Sequence, residues 1–92
     1  MPRRGEGIPE DYEAYKQAAG SAIGIRIRTR RMQLELSQES VRAQMELENV
    51  YLSRAQFSRI EIGTSLPNAV EIIALVKVLQ VSCHWLLFGD AE

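Results

Sequence analysis

From Ser53 to Ile62 the chain reads Ser-Arg-Ala-Gln-Phe-Ser-Arg-Ile-Glu-Ile, and these residue types at this spacing suit contact with phosphates or with hydrogen-bonding edges. Stepped round a helix at about 100° per residue, Phe57 and Ile60 define one side. Ala55, Ser58, Arg59 and Ile62 define the other, with Arg54 and Gln56 at the margins. Arginine presents a rigid fork of donors that matches phosphates and guanine edges, and small Ala and Ser let a backbone come close. A helix of under three turns suits a DNA major groove about 12 Å wide. The same arrangement also suits a plain solvated helix, because any amphipathic surface helix turns its Arg and Ser outward.

Other chemistry is poorly supplied. The chain has no paired carboxylates on one face, no activated nucleophile and no phosphate-cradling glycine loop, so an enzyme is the poorest reading. The single Cys83 makes no internal disulfide, and one Cys with one His, His84, falls short of a zinc ligand set. Neighbours on a helix diverge, so Cys83 and His84 do not form a catalytic pair either. No metal or cofactor is expected. No apolar run approaches the ~20 residues that span a bilayer, and Met1-Pro-Arg-Arg-Gly lacks the apolar stretch of a secretory signal. The expectation is a soluble cytoplasmic protein without a membrane partner.

With 11 basic and 12 acidic residues the net charge is −1, which argues against coating nucleic acid through bulk positive charge. The distribution is more informative. Residues 23–63 carry seven basic and five acidic groups, and nine of the eleven basic residues are Arg rather than Lys, the usual choice for solubility alone.

The elements that must position residues 53–62 all read as helix, since no stretch alternates like a strand or carries a hairpin turn. Ninety-two residues make one domain with one small core, marginal enough that a second copy could add stability. After a flexible start through Gly7, Pro9-Glu10-Asp11 suits a helix N-terminus, and a short accessory helix is expected to about Ala19. Gly20-Ser21 then reads as a break, followed by a helix over about 22–34 whose stripe is Ile23, Ile27 and Leu34. Its second apolar pair, Ile25 and Met32, needs another cover, and docking of the accessory helix through Tyr12 and Tyr15 would supply it. Ser37 opens a helix through Val41 and Met45 to about Glu48, and Asn49 suits a left-handed stop. Ser53 caps the helix over 54–62, which Gly63 stops. Pro67-Asn68 opens a helix over about 69–79, and Ser82 caps a last one through Phe88. On the 69–79 helix, Ala69, Ile72, Ile73, Val76 and Leu79 form the expected buried face, with Val70, Ala74 and Val78 opposite. Trp85 is expected to pack as core or lid.

Taken in order, Ile23-Gly24-Ile25-Arg26-Ile27-Arg28, Arg31, Leu36-Ser37-Gln38-Glu39, Ser53 through Gly63, Pro67, Leu79, Val81 and Trp85-Leu86-Leu87-Phe88-Gly89 resemble the Xre family, the Cro and phage-repressor class of helix-turn-helix proteins. The resemblance covers about residues 22–89. It implies an all-α, five-helix lambda-repressor-like DNA-binding domain, to which this chain adds an extra N-terminal helix. Residues 1–20 are then an N-terminal extension with a short accessory helix, and residues 21–92 the helix-turn-helix domain. The Gln38 helix would cross the DNA backbone and the Ser53 helix would enter the major groove. Carried over by position, Gln38 resembles the helix-start glutamine that binds phosphate. Arg54, Ala55 and Arg59 fall where bases are commonly met. Ser53 and Gln56 fall at phosphate or edge-base positions, and Ser58 lies on the same outward face. Arg31 and Glu61 resemble a family ion pair that clamps the first helix to the recognition helix.

The chain also departs from the family pattern. Arg42 stands where the family usually has Ala, Glu46 where it has a turn Gly, and about five extra residues separate Met45 from Ser53. A family subgroup has such a lengthened turn, so Met45-Glu46-Leu47-Glu48 is expected to continue the helix, with Arg42 pointing away from the core. Arg26, Arg28 and Arg30 form either a solvated face or contacts to the DNA backbone. The preferred reading is a sequence-specific regulator of transcription, repressor-like, binding double-stranded DNA at an inverted repeat as a homodimer. The alternative is a protein-interaction or antitoxin-like module that keeps the fold without reading bases.

Overall fold

The computed structural model describes residues 8–90 and contains five helices: α1 (Ile8–Gln33), α2 (Gln38–Leu47), α3 (Arg54–Ile62), α4 (Ala69–Leu79) and α5 (Cys83–Phe88). The flexible start expected through Gly7 lies outside the described residues. Four of the helices begin at a side chain that accepts a hydrogen bond from an otherwise orphaned backbone N–H. Ser37, Ser53 and Ser82 accept through Oγ from the amides of Ser40, Gln56 and Trp85. Asn68 and Glu71 form a reciprocal pair, side chain to backbone in both directions, at 2.8 and 2.9 Å. Gly63 ends α3 in the left-handed region, and Asn49, with φ +66°, turns the chain after α2.

The expected break at Gly20-Ser21 is absent. Helix α1 runs unbroken for 26 residues, so the accessory helix is the first part of α1 rather than a separate element. Gly20 serves packing instead. A Cβ placed there would lie 2.7 Å from the carbonyl oxygen of Gly63, and one at Gly24 would lie 2.6 Å from that of Ile60. Two glycines one turn apart thus let α1 approach the C-terminal end of α3 closely. The docking of Tyr12 and Tyr15 onto Ile25 and Met32 is likewise overturned, because a continuous helix cannot fold back on itself, and all four residues are exposed.

The core gathers Ile23 and Ile27 from α1, Val41 and Met45 from α2, Leu52 from the connection that follows, Phe57 and Ile60 from α3, Ala74, Leu75, Val78 and Leu79 from α4, and Leu86 from α5. Trp85 packs half-buried against this cluster. Helix α4 is rotated from the expected orientation: Leu79 is buried and Ile72 and Val76 pack half-buried against the core as expected, but Ala74 and Val78 are buried while Ala69 and Ile73 are exposed. Nearly every position of α4 is apolar, so burial there is chosen by the neighbouring helices. Among the described residues, no helix is long and apolar enough to cross a membrane.

Candidate nucleic-acid interface

The third helix is held from below and open above. Phe57 and Ile60 are fully buried, whereas Ser53, Arg54, Ala55, Arg59 and Ile62 are exposed and Gln56 and Ser58 half-buried. Nine residues make a rod about 13 Å long, and its outward side carries two guanidinium groups among small side chains. The Ser53 hydroxyl already accepts a bond from the Gln56 amide, 3.0 Å away, which leaves its proton as the donor for a ligand. Arg59 donates from Nη2 to Gln56 Oε1 at 2.8 Å, so the two side chains form one unit one turn apart.

Beneath that face, three helices meet on one carboxylate. Arg31 of α1 donates through Nε to Glu61 Oε2 at 2.6 Å and through Nη2 to Glu61 Oε1 at 3.0 Å. Gln38, the first residue of α2, donates from Nε2 to the same Oε1 at 3.0 Å. Arg31 also reaches the Leu36 carbonyl through Nη1 at 2.9 Å. The Glu61 side chain is 4% exposed and so faces inward, away from any ligand. Its hydrogen bond, outweighing the desolvation that opposes it, raises the Arg31 pKa above its already high ordinary value. Gln38 lies half-buried at the N-terminus of α2 with a second amide hydrogen in hand.

Arg26 and Arg30 each donate to a backbone carbonyl within the chain. Arg26 Nη1 donates to the Leu86 carbonyl at 3.0 Å, and Arg30 Nε to the Leu79 carbonyl at 2.9 Å. Each caps the carbonyl end of a helix, α5 and α4, where a positive charge also meets the helix dipole favourably. Arg28 remains exposed. Glu48, at the end of α2, pairs with Lys77 of α4 at 3.3 Å. Arg42 is turned onto the chain rather than outward, its side chain only 18% exposed. The sequence marks Arg42 only as standing where the family usually has Ala, and nothing in spacing alone names its partner.

Comparisons with known proteins agree with this geometry. Residues 22–84 match the model of the helix-turn-helix domain family. Over 70 residues the chain is 41% identical to the HTH-type transcriptional regulator DicA of Escherichia coli (strain K12). That match takes in 76% of this chain and 48% of the relative, about half of its length. No solved structure matches the chain significantly. On this match, and on the exposed, capped third helix clamped to the first, the chain belongs to the helix-turn-helix domain family, in its Xre and Cro repressor-type class.

Proposed function

We infer that this chain is a sequence-specific, double-stranded DNA-binding regulator of transcription, with α3 lying in the major groove. The observation that carries the reading is the solvent-facing side of α3, where Arg54, Ala55 and Arg59 stand clear on a helix whose other side is locked by Phe57, Ile60 and Glu61. Arg54 and Arg59 meet base edges, and Ala55 offers an apolar contact. Ser53, Gln56 and Ser58 serve phosphate or edge bases. Gln38 donates to a phosphate at the N-terminus of α2, where the helix dipole favours an anion. Glu61 and Arg31 hold the helix in place and read nothing. The similarity to a transcriptional regulator supports the same role.

A homodimer reading an inverted repeat, its recognition helices about 34 Å apart, completes the proposal. Exposed Val70 and Ile73 on α4 supply apolar surface for such a partner. The role implies a cytoplasmic location and needs no cofactor or catalytic step. Affinity selection of random duplex DNA tests the reading: an enriched palindromic site supports it, and no enrichment sinks it in favour of a protein-interaction module. Arg54→Ala and Arg59→Ala should abolish the base preference and leave the fold intact. A monomeric mass unchanged with concentration in the micromolar range would remove the dimer.

A further inference from the structure

The connection from α2 to α3 is longer than a tight turn, and a side chain from α2 holds its far end. Arg42 donates from Nε to the backbone carbonyl of Leu52, 3.0 Å away, one residue before the Ser53 cap of α3. Its Nη1 also donates to Glu39 Oε1, 3.3 Å away and one turn earlier in α2. Leu52 is buried in the core, and the Val50 amide donates to the Met45 carbonyl at 3.0 Å. Leu47, Asn49 and Tyr51 between and beside these anchors are exposed.

A tight turn sets the angle between two helices through its own backbone. A longer connection has more conformations to lose, so the angle must come from tertiary contacts. Phe57, Ile60 and Glu61 grip the middle and end of α3, whereas its first turn carries exposed Arg54 and Ala55. We propose that Arg42 is a positioning residue for DNA reading, fixing through the Leu52 carbonyl where the first turn of α3 stands relative to α2. The proposal rests on α3 being the recognition helix. Arg42 touches no base in this role. It keeps Arg54 within the narrow distance and angle that a bidentate base contact demands.

The test uses the whole chain, the selected duplex, a scrambled duplex, and temperatures well below each variant's melting point. In Arg42→Ala, preference for the selected over the scrambled duplex should fall about tenfold, as for one lost bidentate contact. Affinity for the scrambled duplex and the salt slope should stay as in the wild type. Arg42→Lys should recover part of the preference, since a lysine can still donate to the Leu52 carbonyl. If the alanine variant fails to fold, Arg42→Met keeps the stem and removes the donor. A retained preference in the variants overturns the proposal. So does a parallel loss on both duplexes with the salt slope shallower by about 1, the mark of a direct phosphate contact. Arg54→Ala is the control. If it loses preference and the Arg42 variants do not, this inference alone fails; a wild type without any preference overturns the recognition-helix reading as well.

Discussion

Arg31 and Glu61 form a two-pronged ion pair between α1 and α3, at 2.6 and 3.0 Å, with side chains 13% and 4% exposed. Gln38 joins the same carboxylate, so α1, α2 and α3 share one buried charge. Such a pair adds little over a well-packed apolar pair, but removing one member strands the other.

Glu61→Ala should therefore destabilise the fold by about 3 kcal/mol, read from chemical denaturation. Arg31→Lys should also cost stability, because three donors of the guanidinium are engaged at once and an ammonium cannot reproduce that fork. The double change Arg31→Met with Glu61→Leu should cost less than the two single losses added. The Arg31 pKa is raised on folding, so its stabilisation is fully present below its unfolded pKa and disappears only in strong alkali. Stability measured from pH 6 to pH 9 should thus show no step attributable to Arg31.

Gly24→Ala sets two effects against each other. Alanine in a helix interior is favoured by about 1 kcal/mol, but its Cβ would collide with the backbone carbonyls of Ile60 and Glu61. Backbone cannot swing aside as a side chain can, and overpacking costs about 1–3 kcal/mol. The melting temperature should fall; a rise would show that α1 and α3 are not in close contact.

Arg26→Ala and Arg30→Ala should each lower stability by about 1 kcal/mol through a lost carbonyl cap. DNA affinity at low temperature should remain at the wild-type level. A weakened complex with unchanged stability would return these arginines to the DNA backbone.

Deleting residues 1–18 removes the exposed Tyr12 and Tyr15 and leaves Gly20, Ile23, Gly24 and Ile27 in place. The melting temperature should shift by less than about 4 °C, as expected for a loss of roughly half a kcal/mol. A larger fall would mean that the first turns of α1 carry packing energy.

Binding should weaken steeply with salt, since phosphate contacts release counterions. Six such contacts would lower affinity by about 10³ between 50 and 200 mM salt. A fluorescence anisotropy titration at those two concentrations checks it, and a flat response would contradict phosphate-driven binding.

The caps at Ser37, Ser53, Asn68 and Ser82, the stop at Gly63, and the burial of Phe57 and Ile60 under an arginine-bearing face were all legible in the sequence. Each is a local rule: a polar cap answers a nearby amide, a glycine takes a positive φ, and a 3.6-residue period sorts one face from another. The continuation of α2 past Met45 was legible too, from the extra residues between Met45 and Ser53, the resemblance to a subgroup with a lengthened turn, and the suitability of Asn49 as a stop.

Tertiary structure decided the rest. Gly20 reads as a break because glycine weakens isolated helices, yet here its missing Cβ admits the Gly63 carbonyl, a residue 43 positions away. Which side of α4 is buried was undetermined because almost every position is apolar, and only the facing helices could choose Ala74 and Val78 over Ala69 and Ile73. Arg26, Arg30 and Arg42 look alike in sequence, and what separates them is the backbone carbonyl each one finds: Leu86, Leu79 or Leu52. Sequence fixes what a residue can donate, whereas the acceptor it reaches depends on distant segments brought together by core burial.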